Sequence, residues 1–255
     1  MKKNELYKLL DKTLDIDAFK KADISLNGVQ VDNSKLEIKK IAFAVDASYE
    51  SIKKASELKA DMLFVHHGLF WGHPLAIRDA HYKRVEALIK NNIALYAAHL
   101  PLDAHPIYGN NASLASTLHL KNQKPFGEYH GVDIGIVGDT ETPLTVDDIV
   151  STLGFTKDND LLVLPFGKTQ DIKRVAIISG GAAEESDLIS AMNENADVYI
   201  TGEHQHILFH VCNELKMTMI SGGHYYTETF GPKSVMEYLK KQGLECTFID
   251  IPTGM

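Results

Sequence analysis

The chain of 255 residues is 44% hydrophobic and 24% charged, which is typical of a globular protein of one or two domains with a sizeable core. Its formal net charge of −8 disfavours a general role in nucleic-acid binding, because phosphate binding depends on clustered lysines and arginines. The two cysteines form no paired motif, charges interrupt the N-terminal segment, and no apolar run reaches the ~18 residues of a membrane span, so we expect a cytoplasmic protein.

Short apolar runs alternate with amphipathic segments along the chain. The runs are typical of strands buried on both faces, and they are IAFAV (41–45), MLFV (62–65), IALYAA (93–98), VAIIS (175–179), VYI (198–200) and MTMIS (217–221). Between them, SYESIKKASELK (48–59) and AAEESDLISAMNEN (182–195) have the pattern of amphipathic helices. This alternation predicts an α/β protein with mostly parallel sheets. The spaced glycines and alternating side chains of GVDIGIVGD (131–139) predict an antiparallel or edge strand instead.

The two halves of the chain share an order of motifs. IKKIAFAVD (38–46) and IKRVAIISG (172–180) each open a strand–helix–strand run. The run continues to ADMLFVHHG (60–68) in the first half and to ADVYITGEH (196–204) in the second. This shared order predicts two pseudo-symmetric α/β units, but convergence of ordinary α/β patterning would give a similar sequence.

Each half then closes with a strand that leads into a histidine, and a carboxylate follows four residues later. These pairs are His99 with Asp103 and His224 with Glu228. Sites in open parallel sheets form at the carboxyl ends of the strands, in the loops that lead to the next helix. We therefore expect both pairs and the TGE segment (201–203) at such edges.

His66 and His67 directly follow an apolar run. Neighbouring residues on a regular strand point to opposite faces, but at a strand end the backbone turns and each imidazole can address its own ion. Taken alone, an adjacent pair of histidines is more typical of core or capping residues that bond to the backbone.

The histidines and carboxylates at these strand ends are, as a set, the ligands that Zn, Fe, Mn, Ni or Co prefer. Five such groups are too few for two separate coordination shells, but they suffice for two ions that share a ligand. A carboxylate can bridge two ions through its two oxygens, whereas a neutral imidazole has one available lone pair. The set therefore predicts a dinuclear centre with one shared acid, an arrangement typical of hydrolytic enzymes.

The motifs resemble those of one known family. HHGLFW, HLPLDAH, TGE and GHYYTE, in this order and with NGVQV upstream, look like the NIF-three-like family, whose members are often labelled GTP cyclohydrolase type 2 homologues. The resemblance spans the whole chain, and Gly68 stands where many relatives have proline. Carried over residue by residue, it implies the metal ligands His66, His67, Asp103, His224 and Glu228.

The resemblance also implies an architecture, a cofactor and an assembly. It implies two interlinked α/β domains with the metal site between them, and we place the first at 1–125 with 225–255 and the second at 126–224. Two divalent transition-metal ions per subunit are implied, with Glu228 as the shared ligand. A homohexameric ring is implied as well, and the family label makes GTP the substrate.

Other polar residues near the motifs have alternative interpretations. His99 and His105 either orient a ligand or bond to the backbone. Glu203 is a candidate general base, as His99 is a candidate catalytic group, but Glu203 could equally cap the following helix. Trp71 either walls the pocket, contacts another subunit or packs in the core. His204, His206 and His210 do not share one helical face, which favours surface or outer positions.

Two functions remain open from the sequence. The first is a metal-dependent hydrolase, and the second is a non-catalytic metal-binding ring that serves as an ion sensor, a buffer or a protein scaffold. The chain contains neither a GxGxxG nor a GxxxxGK[ST] loop, and it lacks a GxSxG elbow. A hydrolase needs an open coordination position in an accessible pocket, which a closed structural site lacks.

Overall fold

The computed structural model describes the backbone of residues 1–255 and the side chain of every residue except Asn159. The α-helices are α1 (Lys3–Thr13), α2 (Tyr49–Glu57), α3 (Asp79–Lys90), α4 (Leu100–Ala104), α5 (Asn110–Thr117), α6 (Val146–Leu153), α7 (Glu185–Asn193), α8 (Leu208–Leu215), α9 (His224–Thr227) and α10 (Phe230–Lys241). The strands are β1 (Gly28–Val31), β2 (Lys40–Asp46), β3 (Met62–His67), β4 (Ala94–Ala97), β5 (Lys121–Tyr129), β6 (Val132–Leu144), β7 (Leu162–Pro165), β8 (Ile172–Ile177), β9 (Val198–Thr201), β10 (Thr218–Ser221) and β11 (Glu245–Phe248). Among the described residues, no helix combines the length and the apolar character needed to cross a membrane.

The predicted elements are present. Every predicted apolar run overlaps a strand, and the amphipathic segments contain α2 and α7. The hydroxyl of Ser48 accepts a hydrogen bond from the backbone N–H of Ser51 and caps the start of α2. The segment at 131–139 lies in β6, which pairs antiparallel with both β5 and β8, as its alternation predicted.

The described residues divide into two compact units, of which the first comprises Met1–Leu102 and Gly231–Ile251. Its sheet has the order β1-β4-β3-β2-β11, with β1 antiparallel at one edge and the other strands parallel. On one face the rings of Phe43, Phe64 and Tyr96 lie side by side, with centroids 5.2 and 5.5 Å apart. The buried hydroxyl of Tyr96 donates to Asp11 of α1, which ties that helix to this face.

The second unit comprises Asp103–Phe230 and Pro252–Met255. Its sheet has the order β5-β6-β8-β9-β10-β7, in which β8, β9 and β10 are parallel and the outer strands are antiparallel. Apolar side chains cover both faces, with Val198 and Ile220 in one core cluster and Tyr199 and Met219 in the other. The predicted α/β class with mostly parallel strands is confirmed.

The internal repeat is present in the topology of each unit. The order α1-β1-β2-α2-β3-α3-β4 in the first unit matches α6-β7-β8-α7-β9-α8-β10 in the second. The corresponding strands also have the same order within their sheets, β1-β4-β3-β2 and β7-β10-β9-β8, and the same directions. The domain boundaries near 125 and 225 stay a prediction, because compactness alone does not define which segments fold independently.

Asp61 shows how the repeat is built at the level of single hydrogen bonds. It follows the helix α2, directly before β3, and its Oδ2 accepts from the backbone N–H groups of Lys39 (2.6 Å) and Lys40 (2.9 Å). The ammonium group of Lys35 forms an ion pair with the other oxygen. The carboxylate thereby fixes the start of β2 against the start of β3.

Asp197 occupies the corresponding position in the second unit. It lies directly before β9, and its Oδ2 accepts from the backbone N–H groups of Lys173 (2.8 Å) and Arg174 (3.1 Å) at the start of β8. Lys168 forms an ion pair with its other oxygen at 2.7 Å. The aspartate of the AD dipeptide that both halves share therefore links the starts of two neighbouring parallel strands, β2 and β3 in the first unit and β8 and β9 in the second.

We predict that Asp61→Ala lowers the free energy of unfolding by about 2 kcal/mol at pH 7, because two partly buried backbone donors lose a charged acceptor. Burial would raise the pKa of Asp61, but hydrogen bonds from Lys35, Lys39 and Lys40 outweigh it and hold the pKa below its ordinary value. Because the pKa of Asp61 is lower in the folded chain than in the unfolded chain, its carboxylate stabilises the fold at pH values above the unfolded-state pKa of ~3.9. This stabilisation is lost as the pH falls through the folded-state pKa.

Urea unfolding at a series of pH values tests this prediction. The wild type should lose more stability than Asp61→Ala as the pH falls below about 4. Asp133→Ala, at an exposed position of β6, is the control and should change little. Equal stability of Asp61→Ala and Asp133→Ala at pH 7 would contradict the bracing role.

Candidate metal centre

Three histidines lie together at the carboxyl ends of parallel strands in the first unit. His66 and His67 are the last residues of β3, and His99 follows the end of β4. Each offers a nitrogen, and these nitrogens all lie within 4.8 Å of one another. The ring of His66 has its centroid 4.7 Å from that of His67 and 5.1 Å from that of His99. We call these residues the histidine trio.

Oxygen acceptors hold all three rings of the trio in one tautomer. The Nδ1 atoms of His66, His67 and His99 lie 2.9, 2.9 and 3.0 Å from the carbonyl oxygen of Ala98, Asp46 Oδ1 and Asp23 Oδ1, respectively. Because a carbonyl or carboxylate oxygen only accepts, each Nδ1 carries a proton, and in the neutral ring Nε2 carries the lone pair. Metal-ligating histidines in proteins are held in this way.

The acceptors Asp23 and Asp46 were not among the site residues predicted from the sequence. The side chain of Asp23 is 1% exposed, and it also accepts from the backbone N–H of Ser25 and Leu100. Burial would raise the pKa of Asp23, but its hydrogen bonds, with that from His99 first, hold the pKa below the ordinary value. Asp46 could have been recognised from the sequence, because it ends β2 at the same edge of the sheet as the trio. Asp23 could not, because it lies in a loop without any motif.

The second unit places buried carboxylates beside His224. Glu228 is 3% exposed, and its Oε2 lies 3.1 Å from His224 Nε2. Asp103 is 6% exposed and offers a carboxylate oxygen within 4.8 Å of one from Glu228. Two buried carboxylates at this distance repel each other, so a cation beside them lowers the energy of the pair.

Glu203 holds His224 from the other side. Its Oε1 lies 2.6 Å from His224 Nδ1. Burial lowers the pKa of His224, but hydrogen bonds and charge from Glu228 and then Glu203 outweigh it and raise the pKa to about 9. A divalent ion that binds at Nε2 therefore has to displace a proton. Of the two alternatives for Glu203, capping of the next helix does not hold, because α8 begins only at Leu208.

Asp103 is fixed by side chains that the sequence analysis did not assign to the site. Its Oδ1 accepts from Asn110 Nδ2 at 2.9 Å and from Ser179 Oγ at 3.0 Å. Asn110 begins α5, so the same residue starts a helix and positions a carboxylate. Asn111 Oδ1 accepts from the backbone N–H of Ser179 at 2.7 Å and so holds Ser179 in position to donate to Asp103.

The other residues considered from the sequence lie outside the two clusters of histidines and carboxylates, or beside them without an assigned ligand role. His105 Nδ1 accepts from the backbone N–H groups of Ile107 and Tyr108, which fits the backbone-bonding alternative. His206 and His210 are exposed, and His204 Nδ1 lies 3.3 Å from Ser221 Oγ. Trp71 presents its ring edge-on to His99 with centroids 5.0 Å apart, so it walls the histidine trio.

These features define a class of protein, an α/β protein with histidine and carboxylate clusters at strand ends that could bind metal ions. The chain belongs to the Duf34/NIF3 (NGG1p interacting factor 3) family, whose model matches residues 1–254. The family resemblance of the motifs is therefore confirmed.

Known relatives cover the whole chain. A protein of Pyrococcus horikoshii named GTP cyclohydrolase 1 type 2 homolog is 42% identical over 256 residues, which is 100% of both chains. The solved structure of TTHA1606 from Thermus thermophilus has a TM-score of 0.87 at 37% identity, with 100% of both chains covered. Protein ybgI, described as of unknown function, has a TM-score of 0.88 at 34% identity and the same coverage.

Proposed function

We propose that this protein is a metal-dependent hydrolase that binds two divalent transition-metal ions. The ligands in this proposal are His66, His67, Asp103, His224 and Glu228. Imidazole and carboxylate donors together fit Zn, Fe, Mn, Ni or Co.

The observation that carries the proposal is the orientation of the histidines. In His66, His67 and His224, an oxygen acceptor lies within 2.9 Å of Nδ1. This leaves Nε2 as the nitrogen that presents a lone pair when the ring is neutral. Such acceptors raise the basicity of the ligand nitrogen and fix the ring, as is typical of metal-ligating histidines.

Glu228 has the surroundings of a shared ligand. It neighbours both Asp103 and His224 within the second unit, and it is almost fully buried. Its two oxygens can serve one ion each, which the single lone pair of an imidazole cannot do. We therefore assign the bridging role to Glu228, with His67 and Asp103 on one ion and His66 and His224 on the other.

Paired divalent ions, when bound, supply Lewis-acid activation of water and stabilise developing negative charge. The side chains around the ligands hold them in place. Glu203 orients His224, and Asn110 with Ser179 orients Asp103. The carboxylate of Glu203 is 44% exposed, so it can also reach a solvent-accessible substrate and accept a proton from it.

GTP is the first substrate to test, because relatives that match over their full length are named GTP cyclohydrolase 1 type 2 homolog. Protein loaded with zinc, manganese, iron, nickel or cobalt would be incubated with GTP, and the products would be separated by chromatography. We expect turnover that chelator abolishes and that Glu228→Gln lacks. Full metal loading without turnover of GTP or of other nucleotides would contradict the hydrolase and favour a non-catalytic metal-binding role.

A further inference from the structure

We infer that the second unit binds a small aromatic carboxylate in a cleft between β7 and the start of α8. The cleft has a volume of about 630 Å³, which falls within the ~300–1,000 Å³ typical of small-molecule sites. Residues 162–166 line one side, and residues of the segment 204–210 line the other. The described lining residues are different from the proposed metal ligands, so the inference does not depend on the proposed hydrolase.

Two phenylalanine rings form the aromatic part of this cleft. Phe166 directly follows β7, and Phe209 lies in the first turn of α8. Their rings meet edge to face, with centroids 5.0 Å apart and planes at 89°. Phe209 is nevertheless 49% exposed, so much of its apolar surface stays open to the cleft side or to solvent. A third aromatic ring can pack on this pair edge-on or offset, as aromatic side chains do with one another.

Hydrogen-bond donors line the opposite part of the cleft. The polar residues there are His204, Gln205, His206 and His210. Ser221 Oγ donates to a backbone carbonyl oxygen at 2.6 Å, so it accepts from His204 Nδ1, 3.3 Å away. The carboxylate of Asp160 also lies on that side of His204, at 3.9 Å from Nδ1. The donors left for a ligand are therefore the amide of Gln205 and the imidazoles of His206 and His210.

An aromatic carboxylate matches both parts of the cleft. Its ring covers the exposed surface of Phe209, and its two oxygens accept from the amide and from the imidazole N–H groups. Hydrogen bonds to a charged acceptor are roughly twice as strong as those between neutral groups. The rings of His206 and His210 are perpendicular and 6.3 Å apart, so they present their N–H groups in different directions around one head group.

An extended peptide is a less suitable occupant, although β7 is the edge strand of its sheet. A peptide would add to this edge through backbone hydrogen bonds. However, β7 has only four residues, and its last residue, Pro165, has no N–H to donate. Short length and proline are features that protect sheet edges from pairing. The same two features disfavour edge-to-edge pairing with a second copy of the chain.

Isothermal titration of the full chain with naphthalene-2-carboxylate tests the inference. We expect a Kd of about 1 mM or tighter, which is the range for a ligand of this size. Cyclohexanecarboxylate has the same head group without an aromatic ring and should bind at least about tenfold more weakly. Zinc-loaded and metal-free protein should give the same Kd. Binding that requires zinc would place the carboxylate at the metal ions instead and would overturn the inference.

Two variants test the two parts of the cleft. Phe209→Ala should weaken binding at least about tenfold, because the ring loses its packing partner. His206→Phe keeps a ring but removes a donor to the carboxylate, and it should weaken binding roughly tenfold. Tyr49→Ala is the control, since Tyr49 is a 53% exposed aromatic residue in the first turn of α2. An unchanged Kd in both Phe209→Ala and His206→Phe contradicts the inference.

A crystal structure of the wild type with naphthalene-2-carboxylate makes the test independent of any variant. The naphthalene ring should lie within ~4 Å of the Phe209 ring. Density at another place only, or an adventitious additive only, overturns the inference. So does binding of a blocked pentapeptide of alternating threonine and valine without binding of the naphthoate, which would make β7 a docking edge for a strand. Dissociation of the wild-type assembly by Phe209→Ala in sedimentation velocity would make the cleft a contact between copies and would overturn it as well.

Discussion

Glu228→Gln is expected to abolish stoichiometric binding of both metal ions, whereas Asp103→Asn should leave about one ion bound per chain. Glutamine keeps nearly the same volume as glutamate but removes the charge that both ions share in the proposed centre. Glu228 lies next to both Asp103 and His224 in the second unit, so its loss affects both positions. Asp103 serves a single ion in our assignment, so its loss weakens one position far more than the other.

Elemental analysis after dialysis against a weak chelator counts the ions in each variant. Asn110→Ala is a useful companion, because it removes a donor to Asp103 Oδ1 without removing a ligand. It should weaken one ion by ~10–100-fold. Two ions retained in Glu228→Gln together with loss of both in Asp103→Asn would reverse the assignment and make Asp103 the bridge.

The fold was predictable from local patterns because both sheets have buried parallel strands at their centres. Such strands read as continuous apolar runs, and the amphipathic stretches between them form the connecting helices. The repeat was visible because the brace formed by Asp61 and by Asp197 needs the same dipeptide at the same place in each half. GVDIGIVGD was recognisable because an antiparallel strand keeps its alternation.

The orientation of the candidate ligands was less predictable. Asp23 lies 76 positions before His99, and Ser179 lies 76 positions after Asp103, so no local spacing connects either pair. These contacts depend on which strand ends meet in space, and only the folded chain determines that. Glu203 stayed open between a general base and a helix cap because the sequence did not reveal that α8 begins several residues later.

Gly180→Ala is expected to weaken metal binding at Asp103, His224 and Glu228 without replacing any of these residues. A Cβ atom at this position would lie 2.1 Å from Glu228 Oε1 and 3.1 Å from its Cδ, far inside van der Waals contact. The carboxylate is buried beside Asp103 and His224 and would have to leave its present position. Because metal affinity depends on ligand placement, the variant should bind fewer ions than the wild type.

Gly154→Ala separates this effect from backbone strain. Gly180 and Gly154 have φ angles of +70° and +71°, so alanine costs roughly 1–2 kcal/mol of left-handed strain at either position. Nothing lies within 4 Å of a Cβ at Gly154, which ends α6 in the same unit. Thermal unfolding of the metal-free variants should therefore show losses of at least this size in both. Elemental analysis should show metal loss only in Gly180→Ala, because only there does the new methyl group meet Glu228. If Gly180→Ala retains as much metal as Gly154→Ala, the placement of Glu228 does not control binding, and its role as the shared ligand has to be abandoned.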